Sequence, residues 1–418
     1  MVFIHAADLH LDSPLQGLSR YEGAPVDQMR LATRQALDRL VALAKREAAA
    51  FVTISGDVYD GDWKDFGTGL FFASRMAQLV KAGIRVFIVS GNHDAQSQIS
   101  RTLTLPDGVK FFDASRAETV VLGDHGVAIH GQSFAERSCN VDLSAAYPDP
   151  EPGLFNIGML HTSLDGREGH DVYAPCTLSG LVSKGYDYWA LGHVHRREEV
   201  CREPWVVFPG NLQGRHAREI GAKGCTVVTV DQGRVRAVVH RDLDVARWVR
   251  CEVDATGARE GHEVVERTAV ALESEVARNP GVAIAARVVV SGTCPAAGAL
   301  AKDPERWIAE VRRVAAALGD VWVEKVKLET LALAVDTAAG DRDEILTGLL
   351  ADLAGDAGRE DRIAALREAF ADLAKKLPRE IVHGEDSLDL TDQGLLGGVL
   401  GRARDLLAGR LANPGGEP

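Results

Sequence analysis

The 418-residue chain has no apolar run as long as the roughly 20 residues that a membrane-spanning helix needs. Its N-terminus enters an apolar segment at once, without the charged and apolar regions of a signal peptide, so no secretory leader is expected. The six cysteines are scattered and form no CxxC pair, which makes free thiols in a reducing compartment the simplest account. Together these absences predict a cytoplasmic protein that does not span a membrane.

Positive charge is also scarce. The 47 Lys and Arg residues are outnumbered by 60 Asp and Glu residues, which gives a formal net charge of -13. Because contacts to nucleic-acid phosphates come from Lys and Arg, this balance argues against tight, autonomous binding to DNA. It does not exclude a nuclease, since bound metal ions and the local field supply positive charge at a site. Four arginines near the later motifs either line a substrate groove or form a solvated face: Arg196, Arg197, Arg215 and Arg218.

Five apolar runs with strand character are each followed by a side chain that can bind a metal. The runs cover residues 2–7, 50–55, 85–90, 156–160 and 186–191. The candidate ligands are Asp8, His10, Asp57, Asn92, His161, His193 and His195. In sheets of alternating strands and helices, functional side chains sit in loops beyond the carboxyl ends of the strands. The sequence therefore predicts that these side chains meet at one metal site.

The ligand types indicate a two-metal hydrolase. Two divalent cations about 3.5 to 4 Å apart share a bridging carboxylate, for which Asp57 is the best candidate. Four histidines among the candidate ligands favour a transition metal over magnesium or calcium. With only Asp8 and Asp57 anionic, the metals keep a positive excess that favours a phosphate substrate. A lone His after a strand is usually an ordinary polar residue, but the motifs GDVYD, GNHD, GMLH and GHVH occur here together.

At these motifs the chain resembles the calcineurin-like metallophosphoesterases. The opening FIHAADLHLDSPL and the later PGNLQGR (209–215) are similar to the SbcD-type DNA-repair nuclease subunit. Three further stretches resemble the YhaO-type bacterial branch: GDVYDGDWKDFGTGLFF (56–72), GNHDAQSQI (91–99) and LHTSLDGREGHDVYAPC (160–176). The resemblance covers residues 1 to about 245 and is much weaker beyond.

The resemblance implies a role for each site residue. One metal would be held by Asp8, His10, Asp57 and His195, and the other by Asp57, Asn92, His161 and His193, with manganese as the expected ion. His93 would contact the scissile phosphate and the leaving oxygen, and Asp94 would orient His93 through a ring nitrogen. Asp60 either assists His93 and positions substrate or only caps its loop.

The resemblance also implies an α/β fold in which a two-sheet sandwich is flanked by helices over residues 1–245. Helical periodicity is clear at 26–48 and 67–82, and the polar stretch 138–153 is predicted to be a loop. Strand-like and helical segments then alternate over 246–335 and predict a small α/β domain, which caps the nuclease in SbcD-type proteins. Residues 336–418 predict a helical tail with helices at 342–353, 358–376 and 392–411.

The function implied by the resemblance is hydrolysis of DNA as a 3′-to-5′ exonuclease, with single-strand endonuclease activity as an additional option. Two alternatives stay open: a phosphatase or small-molecule phosphodiesterase that uses the same site, and a metal-stabilised scaffold subunit for an ATPase. The expected partners are DNA and a coiled-coil ATPase subunit of SbcC type, and a homodimer is left open. An apolar stripe from Leu395 to Leu411 either packs on the chain itself or docks on that partner.

Overall fold

The computed structural model describes residues 1–13, 26–60, 66–96, 104–166, 173–332, 359–377, 382 and 388–412. The chain divides into two compact units. The first comprises Met1–Arg250, Glu275–Arg287 and Asp320–Glu324, and the second comprises Cys251–Ser274, Val288–Gly319 and Lys325–Pro418. The domain ranges 1–245, 246–335 and 336–418 stay a prediction.

The first unit contains two six-stranded sheets. The first sheet consists of β1 (Val2–Ala6), β2 (Phe51–Ser55), β3 (Arg85–Val89), β4 (Val109–Phe111), β11 (Gly224–Asp231) and β12 (Arg234–Asp242), in the order β12-β11-β1-β2-β3-β4. Strands β1 to β4 are parallel, and β11 pairs antiparallel with both β1 and β12. Every residue of β2 is buried, as expected of a parallel strand covered on both faces.

The second sheet has the same size and a similar plan. It consists of β5 (Glu118–Leu122), β6 (Val127–Gly131), β7 (Phe155–His161), β8 (Tyr188–Gly192), β9 (Glu198–Arg202) and β10 (Trp205–Phe208), in the order β5-β6-β7-β8-β10-β9. Strands β6, β7, β8 and β10 are parallel, and β5 and β9 form antiparallel edges. The strands expected at 50–55, 85–90, 156–160 and 186–191 are therefore confirmed within one or two residues.

An aromatic core holds the two sheets face to face. Phe3 and Phe51 of the first sheet stack with their ring centroids 5.0 Å apart, and Tyr188 of the second sheet meets Phe3 edge-on at 5.3 Å. All three side chains are fully buried in a cluster to which both sheets contribute. Removing this apolar surface from water drives the packing of the sheets. The predicted two-sheet sandwich is confirmed.

Helices cover the outer faces of the sandwich. On the first sheet lie α1 (Val26–Arg46) and α2 (Phe66–Lys81), whose buried side chains include Leu37, Leu40 and Phe72. On the second sheet lies α3 (Leu178–Ser183), which begins where the Thr177 hydroxyl accepts a hydrogen bond from the Gly180 amide. The stretch 138–153 is mostly irregular, as predicted, but contains one 3₁₀ turn at Leu143–Ala146.

The third sheet contains β13 (Ala246–Asp254), β14 (Ala283–Thr293) and β15 (Val321–Leu331), in that order. Helix α4 (Gly261–Arg278) follows β13, and α5 (Ala297–Lys302) and α6 (Pro304–Ala317) lie between β14 and β15. Helix α6 begins with a capping Asp303 and a proline in its first turn, which are both typical helix starts. The predicted small α/β arrangement is confirmed, although α5 is too short to have been visible in the hydrophobic periodicity.

The tail contributes two described helices to the second unit, α7 (Arg359–Ala374) and α8 (Gln393–Ala412). Helix α8 packs against α5 and α7, and its Leu396 side chain is fully buried. The helix predicted at 342–353 lies outside the described residues. None of the helices in the described part of the chain combines the length and apolarity needed to cross a membrane.

The packing of α8 gives a stability prediction. Leu396→Ala should lower the free energy of unfolding by about 2 to 5 kcal/mol, because it leaves a cavity at a fully buried position. Val399, on the same helix, is 36% exposed, so Val399→Ala should change stability by no more than about 0.5 kcal/mol. Urea denaturation of both variants measures the difference. Equal stabilities would show that α8 does not depend on this contact.

Candidate metal centre

All seven predicted metal ligands lie at the carboxyl ends of parallel strands. Asp8 and His10 follow β1, Asp57 follows β2 and Asn92 follows β3, while His161 ends β7 and His193 and His195 follow β8. Backbone hydrogen bonds join the first two of these loops, from the Asp8 amide to the Gly56 carbonyl at 3.0 Å and from the His10 amide to the Asp57 carbonyl at 2.9 Å. The sandwich thus brings loops from both sheets to one place.

The donor atoms form two adjacent groups. Ligand atoms of Asp8, His10 and His195 lie within 4.8 Å of one another, and so do those of Asp57, His161 and His193. Asp57 lies between the groups, because its Oδ2 atom is 3.7 Å from His10 Nε2 and 3.5 Å from His161 Nε2. The Oδ1 atom of Asn92 is 3.0 Å from His161 Nε2. This is the arrangement that the two predicted ligand sets require, although the ligand roles themselves stay a prediction.

The hydrogen bonds of the imidazoles test whether the residues suit metal ions. His161 Nδ1 lies 2.9 Å from the Ser55 carbonyl, so Nδ1 must carry the proton and Nε2 must offer a lone pair to the centre. His195 Nδ1 lies 2.6 Å from a carboxylate oxygen of Glu219, which leaves its Nε2 as a lone pair only 3.1 Å from His10 Nε2. The imidazole lone pairs and the carboxylate oxygens lie close together and repel one another unless a cation lies among them. The donor set therefore fits two cations.

The backbone around these ligands is held in an uncommon conformation. Asp8, His10, Asp57 and His193 all have positive φ, at 53°, 42°, 52° and 100°. Non-glycine residues rarely adopt this region, and such strain concentrates at functional sites. Gly91 is needed for a different reason, since a Cβ atom there would lie 2.3 Å from Asp57 Oδ1 and 2.8 Å from the His161 ring. The glycines of the motifs thus allow the ligand loops to approach one another.

Burial keeps the imidazoles of His10 and His161 neutral. It lowers the pKa of His10 to about 3, with the Arg215 guanidinium acting in the same direction, and it also lowers the pKa of His161. Burial would raise the pKa of Asp57, but the neighbouring His161 and His10 hold it below its usual range. Neutral imidazoles and an ionised carboxylate are the forms that bind metals.

The predicted catalytic residue His93 is paired with Asp60. Its Nδ1 atom lies 3.0 Å from Asp60 Oδ1, and its backbone amide donates to Asp57 Oδ1 at 3.0 Å. Burial lowers the pKa of His93, but the hydrogen bond to Asp60 together with the charges of Asp57 and Asp60 leaves the pKa above its usual value. The Ser13 hydroxyl donates to the other Asp60 oxygen at 2.6 Å. Of the two roles considered for Asp60, the geometry fits assistance to His93.

The structure corrects the expectation that Asp94 orients His93. The Asp94 carboxylate is buried and accepts hydrogen bonds from the backbone amides of Val58 at 3.1 Å, Tyr59 at 2.9 Å and Gly91 at 3.1 Å. It thereby ties the loop after β2 to the loop after β3. Burial, and then the charge of Asp57, raises the pKa of Asp94 to about 7. Sequence adjacency suggested the wrong partner, because the His93 side chain meets the Asp60 carboxylate whereas the Asp94 carboxylate is occupied by backbone amides.

One neighbour of the site, Glu219, could not be anticipated from the motifs. Glu219 contacts His195, and Arg215 lies between two carboxylates, with 3.7 Å from its Nη1 atom to Asp60 and 3.6 Å from its Nη2 atom to Glu219. Of the four arginines noted in the sequence, Arg215 is the one placed beside the predicted ligands, whereas Arg197 is ion-paired with Glu199.

Aromatic rings also line the centre, with Phe134 edge-on to His161 at 5.5 Å and Tyr173 edge-on to His193 at 5.3 Å. Glu219 stands alone in a loop, with no motif to mark it.

The two-sheet sandwich and the gathered Asp, Asn and His donors define the class of protein as a metallophosphoesterase. The calcineurin-like phosphoesterase family matches residues 1–197, and the middle domain of metallophosphoesterase YhaO matches residues 248–331. The uncharacterized metallophosphoesterase YhaO of Bacillus subtilis is 35% identical over 302 residues, which are 71% of this chain and 72% of that protein. The chain therefore belongs to the calcineurin-like metallophosphoesterases, in their YhaO-type branch.

More distant relatives are also found. The DNA double-strand break repair protein Mre11 of Methanopyrus kandleri is 24% identical over 301 residues, 64% of this chain and 62% of that protein. Mre11 of Methanocaldococcus jannaschii is 26% identical over 207 residues, 47% of this chain and 52% of that protein. Among solved structures, a dimetal phosphatase from Danio rerio covers 55% of this chain and 92% of its own, at 12% identity and a TM-score of 0.36.

The central position of Asp57 gives a prediction about metal content. Asp57→Asn should lower the bound metal and remove hydrolysis together, because the amide has neither the charge nor the second oxygen needed to bridge two cations. Elemental analysis of the purified variant measures the metal. A variant with two metals and full activity would contradict the bridging role.

His93→Ala is the control for this variant, since His93 is predicted to act without binding metal. It should keep both metals while hydrolysis slows by roughly 10²- to 10⁴-fold, as is typical when a general acid is removed. Loss of metal from this variant would place His93 among the ligands instead.

The Asp60–His93 pair gives a prediction about pH. The Asp60 carboxylate raises the pKa of His93, so Asp60→Asn should lower that pKa. If protonated His93 assists the leaving group, activity falls as pH rises through this pKa, and the alkaline limb of the pH–rate profile should move to lower pH. Asp38→Asn is the control, because Asp38 is ion-paired with Arg75 on the helical surface. An alkaline limb at the same pH in Asp60→Asn and wild type would argue against the pairing.

Proposed function

We propose that the protein is a dinuclear-metal-dependent phosphodiesterase that hydrolyses DNA, as a 3′-to-5′ exonuclease with single-strand endonuclease activity as an additional option. The observation that carries the proposal is the pair of donor groups joined by Asp57, with the hydrogen-bonded His93 and Asp60 directly beside them. A metal-stabilised scaffold would need the ligands but not a polarised histidine next to them. The presence of that histidine favours an enzyme.

The chain's own residues have definable tasks in such a reaction. When bound, two divalent cations supply Lewis-acid stabilisation of phosphate charge and lower the pKa of water to near neutrality. Asp60 fixes the Nδ1 proton of His93, so that Nε2 is free to give a proton to the departing oxygen. His93 is partly open to solvent, with 31% of its side chain exposed, so a substrate can reach it. Arg215 adds positive charge on the same side as Asp60.

Support for DNA as the substrate comes from the relatives. Both Mre11 proteins are named for double-strand break repair, and the match to the Methanopyrus kandleri protein spans 64% of this chain. Histidine-rich sites with carboxylates favour transition metals over magnesium, and manganese is proposed among them because the resemblance to SbcD-type nucleases implies it. A coiled-coil ATPase of SbcC type and a homodimer stay proposals. The burial of Leu396 within the chain accounts for part of the apolar stripe that a partner would otherwise cover.

A comparison of substrates tests the proposal. Purified protein with manganese is incubated with single- and double-stranded DNA labelled at either end, beside a chromogenic phosphodiester and a chromogenic phosphomonoester. We expect progressive shortening from the 3′ end, and His93→Ala should lose this activity while keeping its metals. Hydrolysis of the chromogenic diester without any cleavage of DNA would refute the nuclease assignment but keep the phosphodiesterase.

One observation favours the alternative of a phosphatase or small-molecule phosphodiesterase. The formal net charge of -13 repels a polyanion over long distances, whereas a small phosphoester enters a metal site with little penalty. The two functions differ in their dependence on salt. DNA cleavage should weaken steeply as salt rises if phosphate contacts outside the centre matter, while hydrolysis of a small substrate should change little.

A further inference from the structure

The loop Asn211–Glu219, here called the anchor loop, follows β10 and carries a buried acid beside the metal centre. The Glu219 side chain is only 7% exposed. One carboxylate oxygen lies 2.6 Å from His195 Nδ1. The other accepts from Asn211 Nδ2 at 2.9 Å and from the Arg215 amide at 2.7 Å. Both oxygens of this acid are therefore engaged, and one of them is engaged with a predicted metal ligand.

The contact with His195 fixes which ring nitrogen carries the proton. Arg215 Nη2 also lies near His195 Nδ1, at 3.3 Å, and could donate to it only if that nitrogen had no proton. The 2.6 Å contact with a carboxylate decides the matter, since two lone pairs at that distance would repel. Nδ1 therefore donates to Glu219. The lone pair of His195 then lies on Nε2, which is 3.9 Å from Asp8 Oδ1 and 3.1 Å from His10 Nε2.

The anchor loop is fastened firmly enough to hold Glu219 in place. The Gln213 side chain donates to the carbonyls of Gly214 and Ala246, and its oxygen accepts from the Val245 amide at 3.0 Å. Trp248 Nε1 donates to the Gly214 carbonyl at 3.1 Å. These bonds tie the loop to the start of β13, so the position of Glu219 does not depend on the metal ligands alone.

The Glu219 carboxylate accepts hydrogen bonds on both of its oxygens, from His195 Nδ1 on one and from Asn211 Nδ2 and the Arg215 amide on the other. It therefore meets the imidazole as an acceptor. A buried carboxylate opposite a ligand imidazole makes the ring a stronger donor and keeps it in one orientation.

We propose that Glu219 is a positioning residue of the metal centre, which acts through His195 Nδ1 to fix the tautomer and direction of that ligand. It would thereby raise the affinity for the ion held by Asp8, His10 and His195. The inference rests on the metal-centre part of the proposed function and not on DNA as the substrate. A purely structural acid that only braced the anchor loop would affect stability, but it would leave the tautomer of His195 unchanged.

The test replaces Glu219 by its amide. In Glu219→Gln one end of the side chain becomes a donor, so it must face either His195 Nδ1–H or the donors of Asn211 and Arg215. We expect manganese titration by calorimetry to show one of two sites weakened by about 10- to 100-fold. In metal-free protein labelled with ¹⁵N-histidine, the His195 signals, assigned by comparison with His195→Gln, should lose their preference for the Nδ1–H form.

Two further variants complete the design. Glu199→Gln makes the same chemical change at an acid that is paired with Arg197 and Arg202, so it should bind manganese like the wild type. Glu219→Asp keeps the charge and both acceptor oxygens, so it should fold even if the amide variant does not. We expect it to retain the Nδ1–H form of His195 and to bind manganese more tightly than Glu219→Gln.

The possible failures are distinguishable. Two tight manganese sites in Glu219→Gln, or an unchanged Nδ1–H signal of His195, would overturn the positioning role while the metal centre itself remained supported. If the wild type bound no manganese, the proposed metal centre would fall and the role of Glu219 with it. Loss of the tautomer preference together with weaker binding at one site would support the proposal, whether or not DNA is cleaved.

Discussion

The backbone hydrogen bonds between the loops after β1 and β2 are the constraint on which the rest of the centre depends. The amides of Asp8, His10 and Leu11 bond to the carbonyls of Gly56, Asp57 and Val58 at 2.9 to 3.0 Å, so the two loops extend the parallel pairing of their strands beyond the sheet. This pairing fixes three predicted ligands relative to one another, and it holds several of them at positive φ. Such strain persists only where the surrounding structure over-determines the backbone, as the buried strands do here.

Around this frame, carboxylates that are not predicted to bind metal direct the side chains that act at the centre. Asp60 faces His93 and Glu219 faces His195, and Arg215 lies between the two acids. Asp94 has a different task, because it bonds to backbone amides and joins the loop after β2 to the loop after β3. The centre is therefore organised by buried and half-buried acids from three separate loops, each with its hydrogen bonds satisfied, as the cost of burying charge demands.

The net negative charge of the chain and a negatively charged DNA substrate are compatible because the two charges act over different distances. Overall charge governs long-range attraction, whereas cations held at the centre would govern the field within a few ångströms of the phosphate. An enzyme of this kind would hold DNA weakly by itself and would gain from a partner that brings the substrate to it. This is consistent with the proposed association with an ATPase, although the YhaO protein of Bacillus subtilis, to which this chain is similar, is itself uncharacterized.

The sequence by itself determined the elements and the ligand types. Apolar runs predicted the strands, helical periodicity predicted α1 and α2, and polar residues after each run predicted the ligands, because these signals are local in the chain. The tertiary structure alone decided the partnerships. It paired His93 with Asp60 rather than with its neighbour Asp94, and it brought Glu219 to His195 from 24 positions along the chain. Hydrogen-bond partners across loops depend on how the two sheets pack and on where each loop is attached. A local sequence pattern contains no information about either.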